Sequence, residues 1–232
     1  MIHRNEFDTL IKEYKHIRDE NVWISGEKSE YFNIYKCHHF QNLFKREILA
    51  TKPYVLDYGC GNGSFSIELS ASGFRGFLFG LDMSFEFLKE AVKNNSGILF
   101  VNFDGFNIPL KVGAFDYVVV VNVLHHIQPH ERQRVLSKVS GLLKKEGKLI
   151  IYEHNPLNPL TNYAFTHNVI DKNAKMLSFC EAINLVLSSE LRIIKCGFIV
   201  FFPRILKVFR LFEPYLSFLP LGAQYFVVGE KT

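Results

Sequence analysis

The chain has 232 residues, 48% of them hydrophobic and 23 of them Phe, enough apolar mass for one α/β domain with a sizeable core and too much for a disordered chain. Its formal charge of +4 is spread along the chain and forms no basic stripe, which argues against nucleic acid as a partner. Four scattered cysteines (Cys37, Cys60, Cys180, Cys196) with no CxxC pair fit a reduced, cytoplasmic protein without a structural metal, and no run reaches the roughly 18 apolar residues that a membrane span needs.

Residues 3–20 show helical spacing through Phe7, Leu10, Ile11, Tyr14 and Ile17, until Trp23 and Gly26 interrupt it. A second helix is expected from about Ser29 to Leu49, carrying Tyr31, Phe32, Tyr35 and Phe40. Together these make residues 1–50 an N-terminal helical cap ahead of a main domain over 51–232. Pro53 marks the start of a first strand, Val55 to Tyr58, which runs into Gly59, Gly61 and Gly63 and then a helical stretch from Phe65. Glycines at alternate positions let the backbone turn tightly and approach a ligand, and the following helix offers free N–H groups above the loop.

The dinucleotide fingerprint places its third glycine three residues after the second, where this chain has Ser64. The pattern here, Asp57-x-Gly59-x-Gly61-x-Gly63, resembles motif I of the class I S-adenosylmethionine (SAM)-dependent methyltransferases of the small-molecule type. Further along, Gly76–Asp82 reads as a second strand that ends in an acid, and Ser84 is available to cap the helix after it. Gly97–Asp104 reads as a third strand, and Phe115–Asn122 as a β-branched fourth that suits the centre of a parallel sheet. The fourth runs into Val123-Leu124-His125-His126-Ile127, and the string from Phe115 resembles the corresponding segment of the same family. A helix from about His130 to Leu143 and a Glu146-Gly147 turn lead to a fifth strand, Lys148–Glu153.

The resemblance covers about residues 53–155. It implies a doubly wound, Rossmann-like α/β fold with a seven-stranded sheet, five strands parallel plus a C-terminal antiparallel pair. Strand six is expected at Gly197–Phe202 and strand seven at Ala223–Gly229. The resemblance further implies SAM as cofactor, held by Asp57, Gly59, Cys60, Gly61 and Gly63 of the loop, by Asp82 and Met83, by Asp104, Gly105 and Phe106, and by Asn122. Asp82 would meet the ribose hydroxyls, Asp104 the adenine amino group, and Phe106 a face of the purine. Tyr31 and Lys36 of the cap would reach the cofactor carboxylate, or else are a packing aromatic and a solvated lysine.

The expected activity is methyl transfer to oxygen or nitrogen of a small molecule, such as a sugar or a lipid-linked intermediate. Candidates for the general base are His125, His126, Glu153 and His154 at the carboxyl edge of the sheet. No metal is expected, since the spacing of these residues does not enforce ligation. Glu153–Thr161 contains Pro156 and Pro159, read here as excluding a regular helix, and follows strand five, which argues against the DNA methyltransferases whose Asn-Pro motif follows strand four. A lid is expected over about 155–190, with a helix from Leu177 to Glu190. A second elaboration covers 204–222, where Ile205, Leu206, Val208, Phe209, Leu211 and Phe212 accompany Lys207 and Arg210. That segment reads as packing against the body or a homodimer partner, or as an interfacial element at a membrane. Two alternatives are a nicotinamide-dependent oxidoreductase and a catalytically silent binding protein on the same sheet.

Overall fold

The computed structural model describes residues 14–94 and 97–232. Most of the helix expected over 3–20 lies outside the described residues; its described end is α1 (Tyr14–Asn21), followed by a short 3₁₀ turn at Trp23–Ser25. The cap continues as α2 (Ser29–Leu43) and α3 (Lys45–Ala50), so the single helix expected to Leu49 is broken at Phe44. Phe44 leaves helical torsions (φ −122°) and its buried ring packs 5.0 Å from Tyr117.

Seven strands follow in one sheet: β1 (Tyr54–Tyr58), β2 (Phe77–Asp82), β3 (Leu99–Asn102), β4 (Phe115–Val121), β5 (Leu143–His154), β6 (Leu191–Ile199) and β7 (Gln224–Lys231). Their order is β3-β2-β1-β4-β5-β7-β6, with β7 antiparallel to both β5 and β6 and the rest parallel. Side chains alternate along a strand, so Val118 and Val120 of β4 enter the core on one face while Tyr117 and Val119 enter it on the other. Helices α4 (Ser64–Ala71), α5 (Phe85–Asn94), α6 (Pro129–Gly141), α7 (Pro159–Thr166), α8 (Phe179–Leu187) and α9 (Glu213–Leu216) complete the domain. Leu136 and Val139 of α6 and Ala182 and Val186 of α8 cover the Val118 face; Phe40 of α2 and Phe65 and Leu69 of α4 cover the Val119 face.

Several elements depart from the pattern reading. Pro159 does not prevent a helix: it opens α7 in the first turn, where no N–H is needed, while Asn158 caps it by accepting from Thr161 N–H. Strand β5 begins five residues before Lys148, since Leu143 already pairs with Phe115, and the expected Glu146 turn is absorbed as an irregularity at which Glu146 has φ +63°. Strand β6 starts and ends earlier than Gly197–Phe202. Val200, with φ +62°, turns the chain out of the sheet, and the N–H groups of Phe201 and Phe202 go instead to Glu213 Oε1. The chain leaves β1 toward β2 on one side and returns as β4 on the other, so the crevice between their carboxyl ends is the topological switch point where such sheets bind ligands.

Candidate active site

A cavity of about 420 Å³ lies over this crevice and runs on beneath the cap and the 204–212 segment. Its floor at one end is the glycine loop. Gly59, Gly61 and Gly63 all have positive φ, a conformation that L side chains adopt with strain. They differ in surroundings. A Cβ on Gly59 would fall 2.6 Å from Val123, and one on Gly63 would fall 2.9 Å from Phe100, whereas one on Gly61 would meet nothing within 4 Å. Gly59 and Gly63 are therefore glycine because the loop is packed onto β3 and the β4 terminus; Gly61 faces open cavity. Gly63 is not among the lining residues, its place being the start of α4.

Asp82, at the end of β2, ties the loop down: its Oδ2 accepts from Gly61 N–H at 2.7 Å and its Oδ1 from Ser84 N–H at 2.8 Å. Ser84 Oγ in turn accepts from Phe87 N–H, the helix-capping role. Asp57 lines the cavity from below, buried, with Ser66 Oγ donating to it at 2.8 Å; burial, and then the nearby Asp82 charge, push its carboxyl up to about 7. Cys60 and Met83 also line this end. Asp104 lies two residues beyond β3, exposed. Its carboxylate accepts from Phe106 and Asn107 N–H and from the Asn107 side chain, which holds its pKa below the usual carboxylate value and sets the turn through Gly105 and Phe106 at the cavity rim.

Three buried side-chain polar atoms lack a hydrogen-bond partner among the described residues: Tyr31 Oη, Asn122 Oδ1 and Gln224 Oε1. All three residues line this one cavity. Buried polar groups are nearly always satisfied, so a concentration of orphans in one place marks a surface built for a ligand. Gln224, at the start of β7, carried no sequence signal. Lys36 is 1% exposed and lines the cavity, with no ion-pair partner found among the described residues; burial, and then Arg18, lower its pKa to about 7. The cap is fastened to the far wall by Arg210 to Glu27 at 2.9 Å and Tyr35 Oη to Glu213 at 2.7 Å.

At the other end stand the histidines. Glu153 is not at the cavity: it is buried behind His125, accepting from His125 Nδ1 at 2.6 Å and from Leu124 N–H at 2.8 Å. It positions His125 and has no route to an acceptor. Burial opposes the charged form of His125, but the Glu153 and Asp171 carboxylates outweigh it and raise the pKa to about 10. His126 and His154 line the cavity as neutral imidazoles, lowered to about 3 and about 4 by burial and then by the His125 charge. Two residues absent from the sequence reading complete this end. Asp171 reaches both His125 and His126, and buried Arg132 donates to the Leu124 and Ile127 carbonyls while pairing with Glu181 at 2.7 Å.

A parallel sheet with this strand order, its antiparallel last hairpin and a three-glycine loop at the switch point defines the class I, Rossmann-like methyltransferase fold. Residues 56–151 match the family described as a methyltransferase domain. Uncharacterized methyltransferases of Bacillus thuringiensis and Bacillus cytotoxicus are each 26% identical over 148 residues, 62% of this chain. The match spans 66% of the length of these relatives. Among solved structures, a SAM-dependent methyltransferase from Thermotoga maritima, described as a possible histamine N-methyltransferase, aligns over 100% of both chains at TM-score 0.65 and 21% identity. The magnesium protoporphyrin IX methyltransferase of Synechocystis with bound S-adenosylhomocysteine (SAH) aligns over 99% of this chain and 97% of its own at TM-score 0.68 and 15% identity. The chain shares the class I SAM-dependent methyltransferase fold, and its residues 56–151 match the methyltransferase-domain family; the cofactor of that fold class is SAM. The residues present fit that cofactor: an open cradle at Gly61, a strand-end acid at Asp82 and an orphaned acceptor at Asn122.

Proposed function

We propose that this protein transfers a methyl group from SAM to oxygen or nitrogen of a small molecule that has both polar and apolar parts, releasing SAH. The observation that carries this is the continuity of one cavity from the glycine cradle to His126 and His154, with orphaned polar atoms at more than one place along it. Bound SAM supplies an electrophilic methyl on a sulfonium. The chain's own part is to hold and align. Gly61 leaves room for the cofactor, Asp82 meets the ribose hydroxyls, Asp104 and Phe106 flank the base, and Lys36 faces the carboxylate. Alignment of this kind is worth roughly 7–11 kcal/mol in favourable cases.

The acceptor sits between Tyr31, Gln224 and the imidazoles, where His154 is the group placed to take its proton. Residues 1–50 act as a cap and 155–190 as the acceptor-side wall. An apolar, lipid-linked acceptor is supported by the segment that forms the mouth. Pro203 and Arg210 line the cavity, while Ile205 and Leu211 beside them are 88% and 82% exposed.

The reading is tested by measuring SAH release from SAM with panels of hydroxyl- and amine-bearing acceptors, sugars and polyprenyl-linked sugars included. SAH formation that depends on one acceptor class is expected. SAM binding without turnover on any class would favour a binding protein.

A further inference from the structure

Asp171 Oδ1 stands 3.5 Å from His125 Nε2 and 3.4 Å from His126 Nε2, and one donor atom from each of the three lies within 4.8 Å of the others. These separations are long for hydrogen bonds, which run at about 2.7–3.2 Å. They match ligation. Two atoms each about 2.1 Å from a tetrahedral Zn²⁺ are about 3.4 Å apart.

A second observation points the same way. His125 Nδ1 is held at 2.6 Å by Glu153, itself fixed by Leu124 N–H, which is the carboxylate partner that metal-bound histidines carry on their other nitrogen. It fixes Nδ1 as a donor and turns Nε2 toward Asp171, where a bound metal would replace the Nε2 proton that His125 carries in the metal-free chain. Asp171 is set with equal care: its Oδ2 accepts from the Asn168 side chain, leaving Oδ1 for the histidines, and Lys175 N–H donates to the His125 carbonyl at 2.8 Å, locking the Asp171 loop onto the imidazoles. All three side chains line the cavity.

We propose that His125 Nε2, His126 Nε2 and Asp171 Oδ1 form a divalent transition-metal site, best suited to Zn²⁺, with a fourth position open to the cavity. Two imidazoles and one carboxylate with a free position is the ligand set of catalytic zinc rather than of closed structural zinc. The open position takes an oxygen ligand, a hydroxyl or carboxylate of the molecule bound there, and a metal in that place lowers the pKa of a coordinated hydroxyl. His154, whose ring centre is 5.3 Å from that of His125, stays outside the set and remains available as a base. Spacing along the sequence did not reveal this, because the third ligand is supplied by a separate loop after α7.

The proposal stands on the cluster geometry and not on the methyl-transfer reading. It is tested by titrating tag-free, chelator-treated full-length protein with Zn²⁺ against a chromophoric chelator, and with Co²⁺ followed by visible absorption. One Zn²⁺ per chain and a tetrahedral Co²⁺ spectrum are expected. Asp171→Asn and His126→Ala should each weaken binding about 100-fold, and Glu153→Gln about 10- to 100-fold. Absence of stoichiometric binding by the wild type overturns the proposal whatever the variants do, leaving the cluster an ion triad. Binding that survives both Asp171→Asn and His126→Ala overturns it equally. SAM binding by the same metal-free protein, read by thermal shift, separates failure here from failure of the methyltransferase reading.

Discussion

The backbone N–H of Gly61 donates to Asp82 Oδ2 at 2.7 Å, joining the glycine loop after β1 to the acid that ends β2. That carboxylate shapes the cradle and, in the proposed function, also meets the cofactor ribose. Asp82→Ala removes both functions. Hydrogen bonds to a charged group are worth about 1.5–3 kcal/mol each, so SAM affinity should fall by at least about 100-fold. Asp82→Asn, which can still accept from Gly61, should lose less; isothermal titration of both variants checks the order.

The three loop glycines should not be equivalent. At Gly61 an added methyl has room but a strained φ of +54°, so Gly61→Ala should fold with a stability loss of about 1–2 kcal/mol and lose SAM affinity through occupation of the cradle. Gly59→Ala adds a clash with Val123 to the strain and should be the more destabilised protein. Urea unfolding of the two, with and without SAM, separates fold from cradle.

Much of the fold was legible, for physical reasons that can be named. The β-branched run Phe115–Val121 suits a strand covered on both faces, and the alternate glycines suit a tight turn with positive φ at each. What was not legible depends on tertiary partners. Phe44 breaks α2 from α3 to reach Tyr117, and Pro159 starts a helix that Asn158 caps. At the site, the histidines were found because they follow a strand that the sequence marks. Glu153, named with them as a base, is turned away from the cavity by its bond to His125. Asp171 and Gln224 carry no local pattern; only the folded chain brings them to the cavity.

Asp57 gives the stability a pH dependence. Its pKa is raised from 3.8 to about 7 in the fold, by burial first and the Asp82 charge after it, with Ser66 donating against the trend. The folded chain therefore binds the proton more tightly than the unfolded one. This contribution is full below about pH 4, falls as pH rises to about 7, and is flat beyond, a span on the order of 4 kcal/mol. Asp57→Asn should remove the decline in denaturant midpoints measured from pH 4.5 to 8.

Lys36 gives cofactor affinity a pH dependence near neutrality, where a surface lysine would keep its charge. Burial and the Arg18 charge lower its pKa to about 7, while Cys37 and Glu153 pull it upward. Its charge is lost as pH rises through that value, so SAM affinity should drop on the order of tenfold between pH 6 and 8. Lys36→Met should bind more weakly at pH 6 and show a flatter profile; a wild-type profile no steeper than the variant's would contradict the assigned contact.

The exposed face of the 204–221 segment carries Ile205, Val208, Leu211, Phe212 and Phe218 beside Arg204 and Lys207, a composition suited to an anionic interface. Among the described residues no helix is long and apolar enough to cross a membrane. Vesicles rich in anionic lipid should co-sediment the protein, and the pair Ile205→Asp and Leu211→Asp should abolish this without altering SAM binding. Equal recovery of wild type and the double variant would remove support for a lipid-linked acceptor.

The most direct measurement is a thermal-shift series with SAM, SAH, NAD and NADP on wild type and Asp82→Ala. Ligand at about a hundred times its dissociation constant adds roughly 2.7 kcal/mol, a rise of several degrees. Stabilisation by SAM and SAH alone, lost in Asp82→Ala, is the predicted result. A shift with NAD or NADP alone, or none with any of the four, would contradict the account.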